Sequence, residues 1–147
     1  MAWQLQDKLA PSFSNPKNKK MSKPKQEVEK EKIEDILTHY NEKEILQRVD
    51  NNREILGDLI NSLESEMEDS IANLESDLLN SRDSEASNVA HKIKGVALNM
   101  SFPTLVEISK KIEQAIINKD PERDHIFKEI KEEWEIVKKI LYSKKTT

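Results

Sequence analysis

His91, Lys94, Gly95 and Leu98 follow one another at helical spacing, and together they could carry and hand on an anionic group. At about 100° of rotation per residue, Lys94, Gly95 and Leu98 all lie within roughly 60° of His91, while Ala90, Ile93, Ala97 and Met100 lie round the other side. A neutral imidazole is a competent nucleophile near neutral pH. An ammonium three residues on would neutralise a phosphoryl group attached to it. The chain has only two glycines, and a glycine inside a helix costs about 1 kcal/mol relative to alanine. Removing a side chain one turn after His91 clears space for a reactive group brought by a second protein, and Leu98 offers that protein an apolar spot. Taken alone, the same residues also suit an ordinary solvated helix face, with Gly95 serving close helix packing.

The elements that position these residues read as helices throughout. Ile33, Ile36, Leu37 and Tyr40 form one short apolar stripe and Ile45, Leu46 and Val49 another, with Asn41 between them as an N-cap. Leu56, Leu59, Ile60, Leu63, Met67, Ile71, Leu74 and Leu78 then predict one amphipathic helix of about 28 residues. Asp83 or Ser84 is available to cap the next helix, whose stripe is Ala86, Ala90, Ile93, Ala97 and Met100. Pro103 is tolerated only in a first turn, so "MSFPT" breaks the pattern before Leu105, Ile108, Ile112 and Ala115 resume it. A second break at "NKDPERD" precedes Phe127, Ile130, Trp134, Val137 and Leu141. The fold class is therefore all-α: an antiparallel up-and-down four-helix bundle with one or two short N-terminal capping helices.

Composition limits what such a bundle can do. With no cysteine, neither a disulfide scaffold nor a thiolate metal site is open to it. No run approaches the about 18 apolar residues of a membrane span, and no secretory signal is evident at the N-terminus. Residues 1–25 carry six lysines against Asp7, a net of +5, so the remainder carries −9. Those 25 residues, rich in proline, serine and asparagine, read as a flexible basic arm, with Trp3, Leu5 and Leu9 as a short apolar patch and Met21 as an alternative start. Residues 26–147 form the helical domain. Its acidity argues against nucleic acid as a partner. His39 and His125, without a second histidine at ligand spacing, read as solvated turn residues, and Glu132 and Glu133 as a wet helix face.

The stretch "AHKIKGVALNMSFPTLVEISKKIEQA" resembles the histidine phosphotransfer (HPt) family, whose pattern runs Ala-His-x-Leu-Lys-Gly-Ser-Ala and continues to a later Leu-Glu pair. Ala90, His91, Ile93, Lys94, Gly95, Ala97, Asn99, Leu105 and the Ile112–Glu113 pair fall in register, and the likeness extends over roughly residues 40–141. Val96 stands where the family has serine, and Ser101 and Phe102 where it has Gly-Ala.

The resemblance implies a phosphorelay intermediate without ATP binding or kinase activity of its own. His91 would accept a phosphoryl group from the aspartyl phosphate of a receiver domain and pass it to another receiver. Lys94 would stabilise that group, Gly95 would admit the receiver, and Leu98 and Lys92 would help it dock, with Lys110 or Lys111 extending the basic rim. The partners implied are response regulator receiver domains and a hybrid histidine kinase. Magnesium is expected on the receiver, and no cofactor or metal on this chain. A cytoplasmic monomer without membrane insertion completes the expectation. The alternative is a helical adaptor that binds a receiver or histidine kinase and carries no phosphate.

Overall fold

In the computed structural model, which describes residues 33–145, asparagine side chains open the first two helices with bounded starts. Asn41 accepts from the Glu44 backbone N–H at the start of α1 (Glu42–Arg48), and Asn52 from that of Ile55 at the start of α2 (Arg53–Leu79). Each bond satisfies one of the orphan donors of a helix N-terminus. A helical segment over 33–39 precedes α1. Three further helices follow: α3 (Asp83–Met100), α4 (Pro103–Ile117) and α5 (Arg123–Lys145). Among the described residues there is no strand, and no helix is long and apolar enough to cross a membrane. The basic arm expected over residues 1–25 lies outside them.

Short connections force antiparallel neighbours. α2 packs on α3, α3 on α4 and α4 on α5, and α5 closes the ring against α2. The expected bundle is thus the observed one. Ala86, Ala90 and Ala97 are fully buried, and these small side chains let α3 approach its neighbours closely. Tyr40, Phe102 and Trp134 fill one end of the core, with ring centroids 5.7 Å and 6.4 Å apart along the series. Pro103 takes the first position of α4, where its missing N–H costs nothing.

Several expectations change in detail. The cap position of α3 is held by Arg82, whose side chain makes no capping hydrogen bond, because Asp83 is already inside the helix; there its carboxylate contacts Lys119 at 3.1 Å and Arg123 at 3.1 Å. Leu59, expected in the core stripe, is 40% exposed, since the buried face of α2 runs through Leu56, Ile60 and Leu63 instead. Glu133, expected on a wet face, is buried. Its carboxylate meets Nδ1 of His39 at 2.6 Å, so His39 is a tertiary contact rather than a solvated turn residue. Burial pushes the Glu133 carboxyl above the ordinary range, and the His39 contact works against that rise. His125 sits in the first turn of α5, exposed, with Nε2 3.6 Å from Glu129.

Breaking a buried pair by removing one partner leaves the other desolvated and unsatisfied. His39→Ala is therefore expected to cost about 1–3 kcal/mol of stability, read from the urea unfolding midpoint. A midpoint equal to that of the native chain would show that Glu133 does not need this partner.

Candidate functional site

The turn between α3 and α4 sets the register of everything above it. Ser101 adopts the left-handed conformation, with φ 61° and ψ 56°, which a non-glycine residue enters only against a steric cost. Tertiary bonds offset that cost. Ser101 Oγ donates to Glu44 at 2.5 Å, and its carbonyl accepts from the Asn41 backbone N–H at 2.8 Å. Arg48 donates to the carbonyls of Leu98 at 3.0 Å and Asn99 at 2.6 Å, adding to the Ser101 N–H bond that Leu98 already accepts and complementing the helix dipole at the end of α3. Phe102 is fully buried. Ser101 and Phe102, which stand where the resemblance leads one to expect Gly-Ala, thus form a left-handed turn held by tertiary hydrogen bonds and a buried ring.

In an antiparallel pair, residues equally far from the turn come level. His91 lies eleven residues before Phe102, and Glu113 eleven after it. Their side chains meet: Nδ1 of His91 is 3.1 Å from Glu113 Oε2. The other carboxylate oxygen, Oε1, accepts from Lys94 Nζ at 2.9 Å. One carboxylate therefore joins the imidazole and the ammonium that the sequence singled out. The side chain of His91 is 70% exposed, while those of Lys94 and Glu113 are largely covered, at 21% and 18%. Occupation of Nδ1 by Glu113 leaves Nε2 as the ring nitrogen at the outer edge. A carboxylate that can only accept at this position selects the tautomer with its proton on Nδ1 and a lone pair on Nε2.

Lys94, first of all, holds the Glu113 carboxyl below the usual carboxylate range; burial opposes this, and His91 adds to it. Glu113 is consequently an anion at neutral pH. Its part in the site was not singled out from the sequence, where it stood only as half of an Ile112–Glu113 pair. Counting outward from Phe102, just before the Pro103 break, puts residues 91 and 113 level and was the signal that could have found it.

The remaining expected residues divide. A Cβ built on Gly95 meets nothing within 4 Å, so close packing among the described residues does not explain the glycine, and they leave the space beside it open. Leu98 is 51% exposed on the same face. Lys92 turns toward α2, with Nζ 3.7 Å from Glu66, and is not brought to His91. Lys110 and Lys111 make exposed pairs with Glu107 and Glu129, each at 3.4 Å. Among the described residues no group of three histidines and carboxylates is placed to hold a metal ion.

Two measurements probe this geometry. Gly95→Ala is expected to stabilise the fold by about 0.5–1 kcal/mol, because the added methyl enters open space; a lower thermal midpoint would mean that the glycine serves packing after all. The Glu113 interactions stabilise the fold fully above the unfolded carboxylate range and are lost as pH falls through the lower, folded value. Acid unfolding of Glu113→Gln should accordingly show a shallower dependence on pH than the native chain, and parallel curves would remove Glu113 from the acid-sensitive set.

A family model described as Hpt domain matches residues 58–139, more than half of the chain and inclusive of His91, Lys94, Gly95, Leu98 and Glu113. No curated protein and no solved structure gives a significant match.

Proposed function

Since the chain belongs to the Hpt domain family, whose members carry phosphoryl groups on histidine in phosphorelays, we propose that His91 is its phosphoacceptor. The observation that carries this reading is the shared carboxylate of Glu113, which engages Nδ1 of an exposed imidazole and the ammonium of Lys94 together. The lone pair of Nε2 attacks the phosphorus of a receiver's aspartyl phosphate in line. The Nε2–P bond forms, the P–O bond to the aspartate breaks, and the aspartate leaves as a carboxylate with that electron pair. The proton on Nδ1 stays between the ring and Glu113. Transfer to a second receiver runs the same step in reverse.

Lys94 is the cation nearest the new phosphoryl group and supplies its charge neutralisation. Gly95 admits the receiver's pocket, and Leu98 is the apolar point of the docking face. Lys92, drawn toward Glu66, serves at most the outer rim. The receiver brings the magnesium ion and the acidic pocket, and this chain adds neither nucleotide binding nor kinase chemistry. The reading carries with it a cytoplasmic, monomeric carrier between a hybrid histidine kinase and a response regulator, with the transfer domain over residues 26–147 and the basic arm before it.

A panel of phosphorylated receiver domains, incubated with the full chain and with His91→Gln, tests the assignment. The expected result is an acid-labile, alkali-stable label on the native chain that is absent from a folded His91→Gln variant. Retained label in the variant would move the acceptor elsewhere, and receiver binding without any label would favour the phosphate-free adaptor.

A further inference from the structure

The carboxylate that orients His91 also opposes what the imidazole is meant to hold. Glu113 accepts from Lys94 at 2.9 Å, so the cation that the proposed function assigns to the phosphoryl group is already shared with an anion. The side chains of Lys94 and Glu113 are mostly covered, so water screens this pair less than an exposed one. A phosphoryl group on Nε2 must therefore compete with Glu113 for Lys94, and it stands one ring-width from a like charge.

The leaving group adds a second effect. Departure of the phosphoryl group from a ring that keeps its Nδ1 proton releases neutral imidazole. From a ring without that proton the leaving group is imidazolate, a far stronger base and so a far poorer one. A carboxylate facing Nδ1 can only accept a hydrogen bond there, and it keeps the proton in place. An amide at the same position could donate instead and would favour the unprotonated, long-lived phosphoramidate.

Both effects act in one direction. We propose that Glu113 is a positioning residue that keeps a phosphoryl group on His91 transferable, through the Nδ1 proton and through competition for Lys94, so that this chain passes phosphate on rather than storing it. The proposal rests on His91 as the phosphoacceptor and adds the direction in which the site is biased. In the transfer step the Nε2–P bond breaks with its electron pair returning to Nε2, the acceptor oxygen forms the new bond to phosphorus, and the Nδ1 proton neither enters nor leaves. The ionisation of Glu113 at neutral pH, held down chiefly by Lys94, is consistent with this role.

The test uses the full chain loaded chemically with phosphoramidate, a small phosphoryl donor that needs no receiver. The phosphohistidine lifetime at neutral pH is followed by phosphorus NMR, and the His91 ring nitrogens are followed by nitrogen NMR. Glu113→Gln is expected to lengthen the lifetime by about tenfold, the equivalent of one unit of proton affinity. The nitrogen signature should show the Nδ1 proton lost from the phosphorylated ring. Glu113→Ala, which can neither accept nor donate, should lengthen the lifetime by less, and circular dichroism establishes that both variants are folded. A lifetime unchanged or shortened in Glu113→Gln, with the Nδ1 proton still in place, overturns the inference while leaving His91 as acceptor. Failure of the native chain to label at His91 overturns the acceptor assignment and this inference with it.

Discussion

The register of α3 against α4 is the constraint on which the site depends. His91 and Glu113 are separated by twenty-two residues of chain, and they meet only because the Ser101–Phe102 turn places them level. A turn one residue longer would rotate α4 by about 100° and carry the carboxylate off this face. The left-handed conformation at Ser101 is held from outside the hairpin by Glu44, Asn41 and Arg48. Short helix α1 thus supports the candidate site without contributing a side chain to it, and the bonds at one end of the bundle fix distances measured three turns away.

Much of this was legible in the sequence because helical periodicity reports burial directly. The alanine and isoleucine stripe of α3 gave the bundle face, and the same wheel put His91, Lys94, Gly95 and Leu98 on the outside. Asn41 and Pro103 act through their own backbone positions, so local chemistry revealed them. Other features are tertiary and leave no periodic trace. Glu133 looks like any other acidic residue of a charged helix until the partner that covers it, His39, is known. Leu59 satisfies the spacing of the stripe yet falls at its edge, where a shift of one position exchanges core for solvent. Lys92 and Lys94 are both cations beside His91 in sequence. Only the packing decides that one turns to α2 and the other to α4.

The exposure of His91 has a consequence for how a carrier of this kind is used. The imidazole stands on an exposed helix face, so a partner in the proposed transfer would have to supply the enclosure itself. Two partners that enclose the same imidazole cannot be present together. On the proposed reading of His91 as phosphoacceptor, donor and acceptor would then visit in turn. Leu98, 51% exposed, two turns from His91 and one from Lys94, would be an apolar contact point for either visitor. The open setting of the histidine would in that sense make the order of encounters a property of the partners and not of this chain.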